Sequence, residues 1–221
     1  FFADSDGTGG EDESEEMATM TTTEGDGSLP AALPGTTVDL PPNMGCYLAR
    51  RLAELGVETW FAVPGDYNLV LLDQLLKEPR LRMVNCCNEL NAAYAADGYS
   101  RARGGGVAVV CVTFTVGGLS AINAVAGAFS DNLPVIVISG CPNSNDFGTE
   151  RVLHHTIGHP DFGQVFRCFQ QVTVHQTCIK SIENGARKID HALEHAVTQR
   201  KPVYIEIACN LPSVPHSSFK G

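Results

Sequence analysis

A chain of 221 residues, 43% of them hydrophobic, is long enough for one domain of ordinary size with a buried core, plus extra segments. The net charge of −10 argues against a basic surface for nucleic acid or for an acidic membrane, so neither is expected as a partner. No apolar run approaches the roughly 20 residues of a spanning helix, which excludes a helical membrane protein as the reading of the sequence.

The charge is unevenly spread. Residues 1–40 hold ten of the 25 acids and no Lys or Arg, whereas the remaining 15 acids face 15 basic residues. Residues 1–42, rich in Gly, Ser, Thr and acids, bury too little to fold alone and are expected to be a disordered acidic tail. An acidic segment is the opposite of an organellar transit peptide, and it holds no apolar signal core. The chain opens on Phe1, which suggests a processed or incomplete end. Eight scattered cysteines without a C-x-x-C pair read as reduced thiols of an intracellular, cytoplasmic protein.

From residue 43 the pattern alternates. Residues 44–56 have helical spacing and a glycine stop; 58–63 form a strand closed by Pro64-Gly65-Asp66. A helix is expected over 67–77, a strand over 82–87 and an Ala-rich helix over 88–102. An apolar strand at 106–113, a helix of small residues at 116–131 and a buried strand at 133–140 follow. After a long loop come a weak strand near 170–176, a helix at 180–199 and a strand at 202–209. Apolar strands alternating with helices predict a doubly wound α/β domain, with a parallel sheet of about six strands and helices on both faces. It spans 43–212, and residues 213–221 read as the start of a linker.

The nucleotide and hydrolase signatures are missing. No G-x-G-x-x-G follows a strand, and there is neither a Walker A loop nor a G-x-S-x-G elbow. His154, His155 and His159 cluster, but without the spacing of a metal site. In open α/β sheets ligands bind beyond the carboxyl ends of the strands, and three groups fall there: Asp66, Asn88-Glu89 and His154-His155. Glu89 opens a helix, where a carboxylate complements the dipole; it is equally a carboxyl poised for proton exchange. Asp66 suits a turn or a catalytic role, and the two histidines suit a loop or a proton relay.

Particular stretches then become familiar. VPGDYNLVLLDQLL, NCCNELNAAYAADGYSRARG, VTFTVGGLSAINAVAGAFSDNLPVIVISG, CPNSNDFGTERVLHHTIGHPDF and KPVYIEIACNLPSVPH resemble the first domain of thiamine-diphosphate-dependent 2-oxo-acid decarboxylases. The plant-type pyruvate decarboxylases are nearest in pattern, from about residue 43 to 216. The resemblance implies a lyase that converts a 2-oxo acid, pyruvate first, to an aldehyde and CO2 in fermentation. Indolepyruvate and phenylpyruvate are alternative substrates, whereas acetolactate synthases lack the paired histidines. It implies that Glu89 hydrogen-bonds N1′ of the cofactor's aminopyrimidine, and that Thr113, Gly117 and Gly118 line the pyrimidine pocket. Asp66 and His155 would contact the substrate and relay protons, and His154 would help to position them. Burial is expected to favour a protonated Glu89.

The family holds the diphosphate and Mg2+ on a separate domain, through a G-D-G motif and paired Asn, within a homodimer or homotetramer. The only G-D-G here, Gly25-Asp26-Gly27, lies in the acidic segment and reads as linker. No metal ligand is therefore assigned in this chain, which is expected to be a piece of a longer decarboxylase, inactive alone. A subunit contact is expected on the small-residue helix 117–130. The alternative is a catalytically silent short form that docks on a full-length decarboxylase or another protein.

Overall fold

The chain enters its first helix through Asn43. Its side-chain oxygen accepts from the Cys46 N–H at 2.9 Å and satisfies a free donor of the first turn. In this computed structural model, which describes residues 39–220, helix α1 (Met44–Glu54) leads to β1 (Thr59–Ala62), α2 (Leu69–Leu75) and β2 (Arg82–Asn85). Then come α3 (Glu89–Ala102), β3 (Ala108–Val112), α4 (Val116–Ser130) and β4 (Val135–Cys141). The last third adds α5 (Gln164–Phe169), β5 (His175–Ile179), α6 (Gly185–Gln199) and β6 (Val203–Ala208). Gly25-Asp26-Gly27 and most of the acidic segment lie outside the described residues.

The six strands form one parallel sheet in the order β2-β1-β3-β4-β6-β5, as the alternation of strands and helices implied. Every residue of β3, β4 and β6 is buried, because helices cover both faces there. The edge strands β2 and β5 are partly exposed. Helix α1 packs with α2 and α6, and α4 packs with α3 and α5, giving two helical layers. The chain runs from β1 outward to β2, then returns past β1 to β3 and the other half of the sheet. This reversal leaves a crevice beyond the carboxyl ends of β1 and β3.

Two expectations need correction. The long loop after β4 contains α5, whose Val165 and Phe169 are fully buried one turn apart. A helix of 6 residues is too short for its periodicity to stand out. The weak strand lies at His175–Ile179, C-terminal to the expected 170–176, and the following helix starts at Gly185. Thr173 instead folds its hydroxyl back to the Phe169 carbonyl at 2.6 Å and closes the turn. Pairing with β6, His175 against Val203, sets the strand's position, and an edge strand lacks the continuous apolar run that marks a central one.

Helix α4 has one face buried in the domain and one exposed, the latter with Val116, Ser120, Asn123 and Gly127. Gly117, Gly118, Ala121, Ala124, Val125 and Ala128 are buried inside the domain, where α4 lies against α3. That face is not available to a second subunit. After β6 the chain returns over α1: His216 N–H donates to the Pro42 carbonyl, and Phe219 is buried beside Tyr47 and Gly185. All eight cysteines are free thiols. No helix among the described residues is long and apolar enough to cross a membrane.

Candidate active site at the carboxyl end of the sheet

Beyond β1 the chain turns through Pro64-Gly65-Asp66, and Asn68 holds the turn. Asn68 is fully buried; its Nδ2 donates to the Val63 carbonyl at 3.0 Å and its Oδ1 accepts from Gly65 N–H at 2.9 Å. Reading 67–77 as one helix hid this role, because α2 starts only at Leu69. Asn68→Ala leaves two backbone groups of the turn without these partners. It is expected to cost about 2–3 kcal/mol in urea unfolding, with the helical content of the native state unchanged.

Asp66 faces the loop after β4. Its Oδ2 meets His154 Nε2 at 2.5 Å, and each side chain is about half exposed. The Tyr67 ring stacks on the His154 ring, with centroids 4.8 Å apart. The Tyr67 hydroxyl donates to the His154 carbonyl at 3.2 Å. Burial, and then the charge of Asp66, push the Tyr67 phenol up to about 12, so it stays a donor. His155 follows with φ of 65°, in the left-handed region. This backbone brings the His155 ring edge-on to His154, 4.8 Å between centroids. The direct partner of Asp66 is thus His154, and His155 joins through ring contact. His159 is not part of the group.

Glu89 is placed by a helix cap. Asn88 accepts from the Asn91 N–H at 2.9 Å, which makes Glu89 the first residue of α3. Its side chain is partly buried and lies against Gly117, where an added Cβ would sit 2.7 Å from Glu89 Oε1. The same Cβ would sit 3.0 Å from Thr113 Cγ2. On its other side Thr113 closes on Gly65, whose added Cβ would lie 2.6 Å from the hydroxyl. Thr113 therefore stands between Gly65, next to Asp66, and Gly117, against which Glu89 lies. The absent side chain of Gly118 faces Val165 and Phe169 instead, so Gly118 serves the packing of α4 on α5.

Three features mark this region out. The Thr113 hydroxyl and His155 Nδ1 are buried without a hydrogen-bond partner. Thr115, which joins β3 to α4, is buried with φ of 46°, a strained conformation held by its surroundings. Leu69, Val70, Val116, Val152 and Ile157 are large, apolar and exposed, and each is a near neighbour in sequence of Asp66, Thr113 or His154-His155. Of these supporting residues, sequence reading missed Tyr67, Asn68 and Thr115. Only Asn68 carried a local signal, as a turn-forming residue just after a Gly-Asp pair.

Residues 42–165 match the family model described as thiamine pyrophosphate enzyme, N-terminal TPP binding domain. Curated relatives agree. Pyruvate decarboxylase 2 of Oryza sativa subsp. japonica is 61% identical over 177 residues, covering 80% of this chain and 29% of the relative. Pyruvate decarboxylase 1 of Pisum sativum is 57% identical over 192 residues, 87% of this chain and 32% of the relative. Pyruvate decarboxylase 4 of Arabidopsis thaliana is 55% identical over 200 residues, 87% of this chain and 33% of the relative. The chain thus spans about a third of the curated relatives it matches. With this match over residues 42–165, the chain belongs to the thiamine pyrophosphate enzymes, as their N-terminal TPP-binding domain.

Proposed function

We propose that this chain supplies the pyrimidine-binding half of an active site for the non-oxidative decarboxylation of a 2-oxo acid, pyruvate to acetaldehyde and CO2. The observation that carries the reading is the joining of Glu89, Thr113 and Gly117 to the Asp66–His154 pair in one crevice. Glu89 would hold the aminopyrimidine ring through N1′, with the open face of Gly117 leaving room for the carboxyl. The Thr113 hydroxyl, buried and unpaired, faces Gly65 beside Asp66, and its methyl faces Gly117 and the Glu89 side. Bound thiamine diphosphate supplies a nucleophilic carbon and an electron sink, chemistry that no side chain offers.

Asp66 Oδ2 and His154 Nε2 lie 2.5 Å apart, and His155 stands next to them. A carboxylate paired with an imidazole can relay a proton to a reacting carbon. His155, with Nδ1 buried and unpaired, is the member best placed to take a new hydrogen-bond partner on substrate binding. The diphosphate and Mg2+ fall to another domain, in a homodimer or homotetramer of a cytoplasmic, fermentative enzyme. The exposed apolar residues around the crevice fit a face that such a domain covers.

The test is a chimaera in which residues 42–216 replace the matching segment of the rice pyruvate decarboxylase 2. With thiamine diphosphate and Mg2+, it is expected to release acetaldehyde from pyruvate at a rate within about tenfold of the parent, a barrier change of about 1.4 kcal/mol. A folded chimaera that binds the cofactor without turning over pyruvate would reject the assignment.

A further inference from the structure

The other end of the sheet carries a second cluster of imidazoles. His191 and His195 lie four residues apart on α6 and so share one helical face. Helix α6 packs on β5, and His175 is the first residue of that strand. The three rings converge. His175 and His195 stack with centroids 4.8 Å apart, and His191 stands edge-on to each at 4.8 and 4.4 Å. One ligand nitrogen from each lies within 4.8 Å of the others. The cluster consists of imidazoles alone.

A neutral imidazole presents one nitrogen lone pair to a metal. Three of them around a point are the ligand set of a tetrahedral site whose fourth position stays with water. At metal–nitrogen distances of about 2.0–2.1 Å the nitrogens would stand about 3.4 Å apart. Ring rotation about the side-chain bonds covers the difference, His191 being the exposed member of the three. Nδ1 of His195 pairs with the Gln199 side-chain amide at 2.7 Å. With the amide turned to accept from Nδ1–H, Gln199 would orient the ring and leave Nε2 for the ion.

We propose that His175, His191 and His195 form a binding site for a borderline divalent transition metal, zinc first, that clamps α6 to the edge strand β5. Imidazole donors suit zinc, nickel and copper, whereas magnesium prefers oxygen ligands, so the site does not serve the diphosphate. His175 opens its strand, so the cluster sits at the amino end of the sheet, away from the catalytic crevice. A metal held by helix and strand in the folded state alone stabilises that state.

The test is zinc binding by the full chain at neutral pH, followed by competition with a chromogenic chelator and by histidine-ring NMR. One equivalent should bind, shift the ring signals of His175, His191 and His195, and raise the melting temperature. His191→Ala and His195→Ala should each weaken binding at least about 100-fold, the upper end of what losing a mere outer-shell partner costs. Their circular dichroism should be unchanged, and His154→Ala should bind zinc as the parent does. Absence of micromolar binding would overturn the site. So would parental affinity in the His191 and His195 variants, or ring shifts confined to His154 and His155.

Discussion

Glu89→Gln in the rice-enzyme chimaera is expected to lower turnover of pyruvate by about 10²–10⁴-fold, the usual contribution of a placed acid–base group. Glutamine keeps the shape of the side chain and its fit beside Gly117. It cannot carry a proton to and from a ring nitrogen at neutral pH, so the loss should fall on the chemical step. The helix should survive, because its cap belongs to Asn88 and not to Glu89. Initial acetaldehyde rates with saturating thiamine diphosphate, with circular dichroism alongside, decide the matter. Turnover within about threefold of the parent, a barrier change of only about 0.7 kcal/mol, would remove Glu89 from the mechanism.

Gly140→Ala is expected to be the most damaging single methyl in the domain. Gly140 lies in β4 where the backbone of Tyr67 and Asn68 crosses it, and an added Cβ would overlap the Tyr67 carbonyl. It would also sit 2.9 Å from the Asn68 N–H nitrogen. Neither group can step aside cheaply. Asn68 is tied to Val63 and Gly65, and Tyr67 is wedged between Phe114 and His154. A loss of at least about 3 kcal/mol is expected in urea unfolding, at the upper end of overpacking effects. Asp66 and its contact with His154 should be displaced with the turn. Gly127→Ala is the matched control. It lies in α4 with nothing within 4 Å of its added Cβ, and a helical Gly→Ala change there should stabilise by about 0.5–1 kcal/mol. Equal stability of the two variants would mean that the close approach at Gly140 is not tight.

Much of this architecture is legible along the chain because it depends on local rules. The continuous apolar run at 106–113 and the apolar-rich stretches at 133–140 and 202–209 announce buried parallel strands. The motifs around Asp66, Glu89 and His154-His155 are recognisable as residue strings. Where the local signal is weak, the reading slipped. The edge strand β5 is only partly covered, and α5 is too short to show a period.

Other features were decided by tertiary structure alone. Asp66 and His154 are 88 residues apart, and their meeting follows from β1, β3 and β4 lying side by side. The same ordering sets Thr113 between Gly65 and Gly117, directs Gly117 toward Glu89, and turns Gly118 toward α5. Which small residues of α4 pack inside the domain, Gly117, Gly118, Ala121, Ala124 and Ala128, is a choice that composition does not encode. The cluster of His175, His191 and His195 passed unnoticed for a like reason: one histidine comes from a strand and two from the helix packed on it. Sequence periodicity reports which face of an element is apolar. Which faces meet, and which polar atoms are left unpaired between them, depends on strand order and crossover handedness, properties of the whole chain.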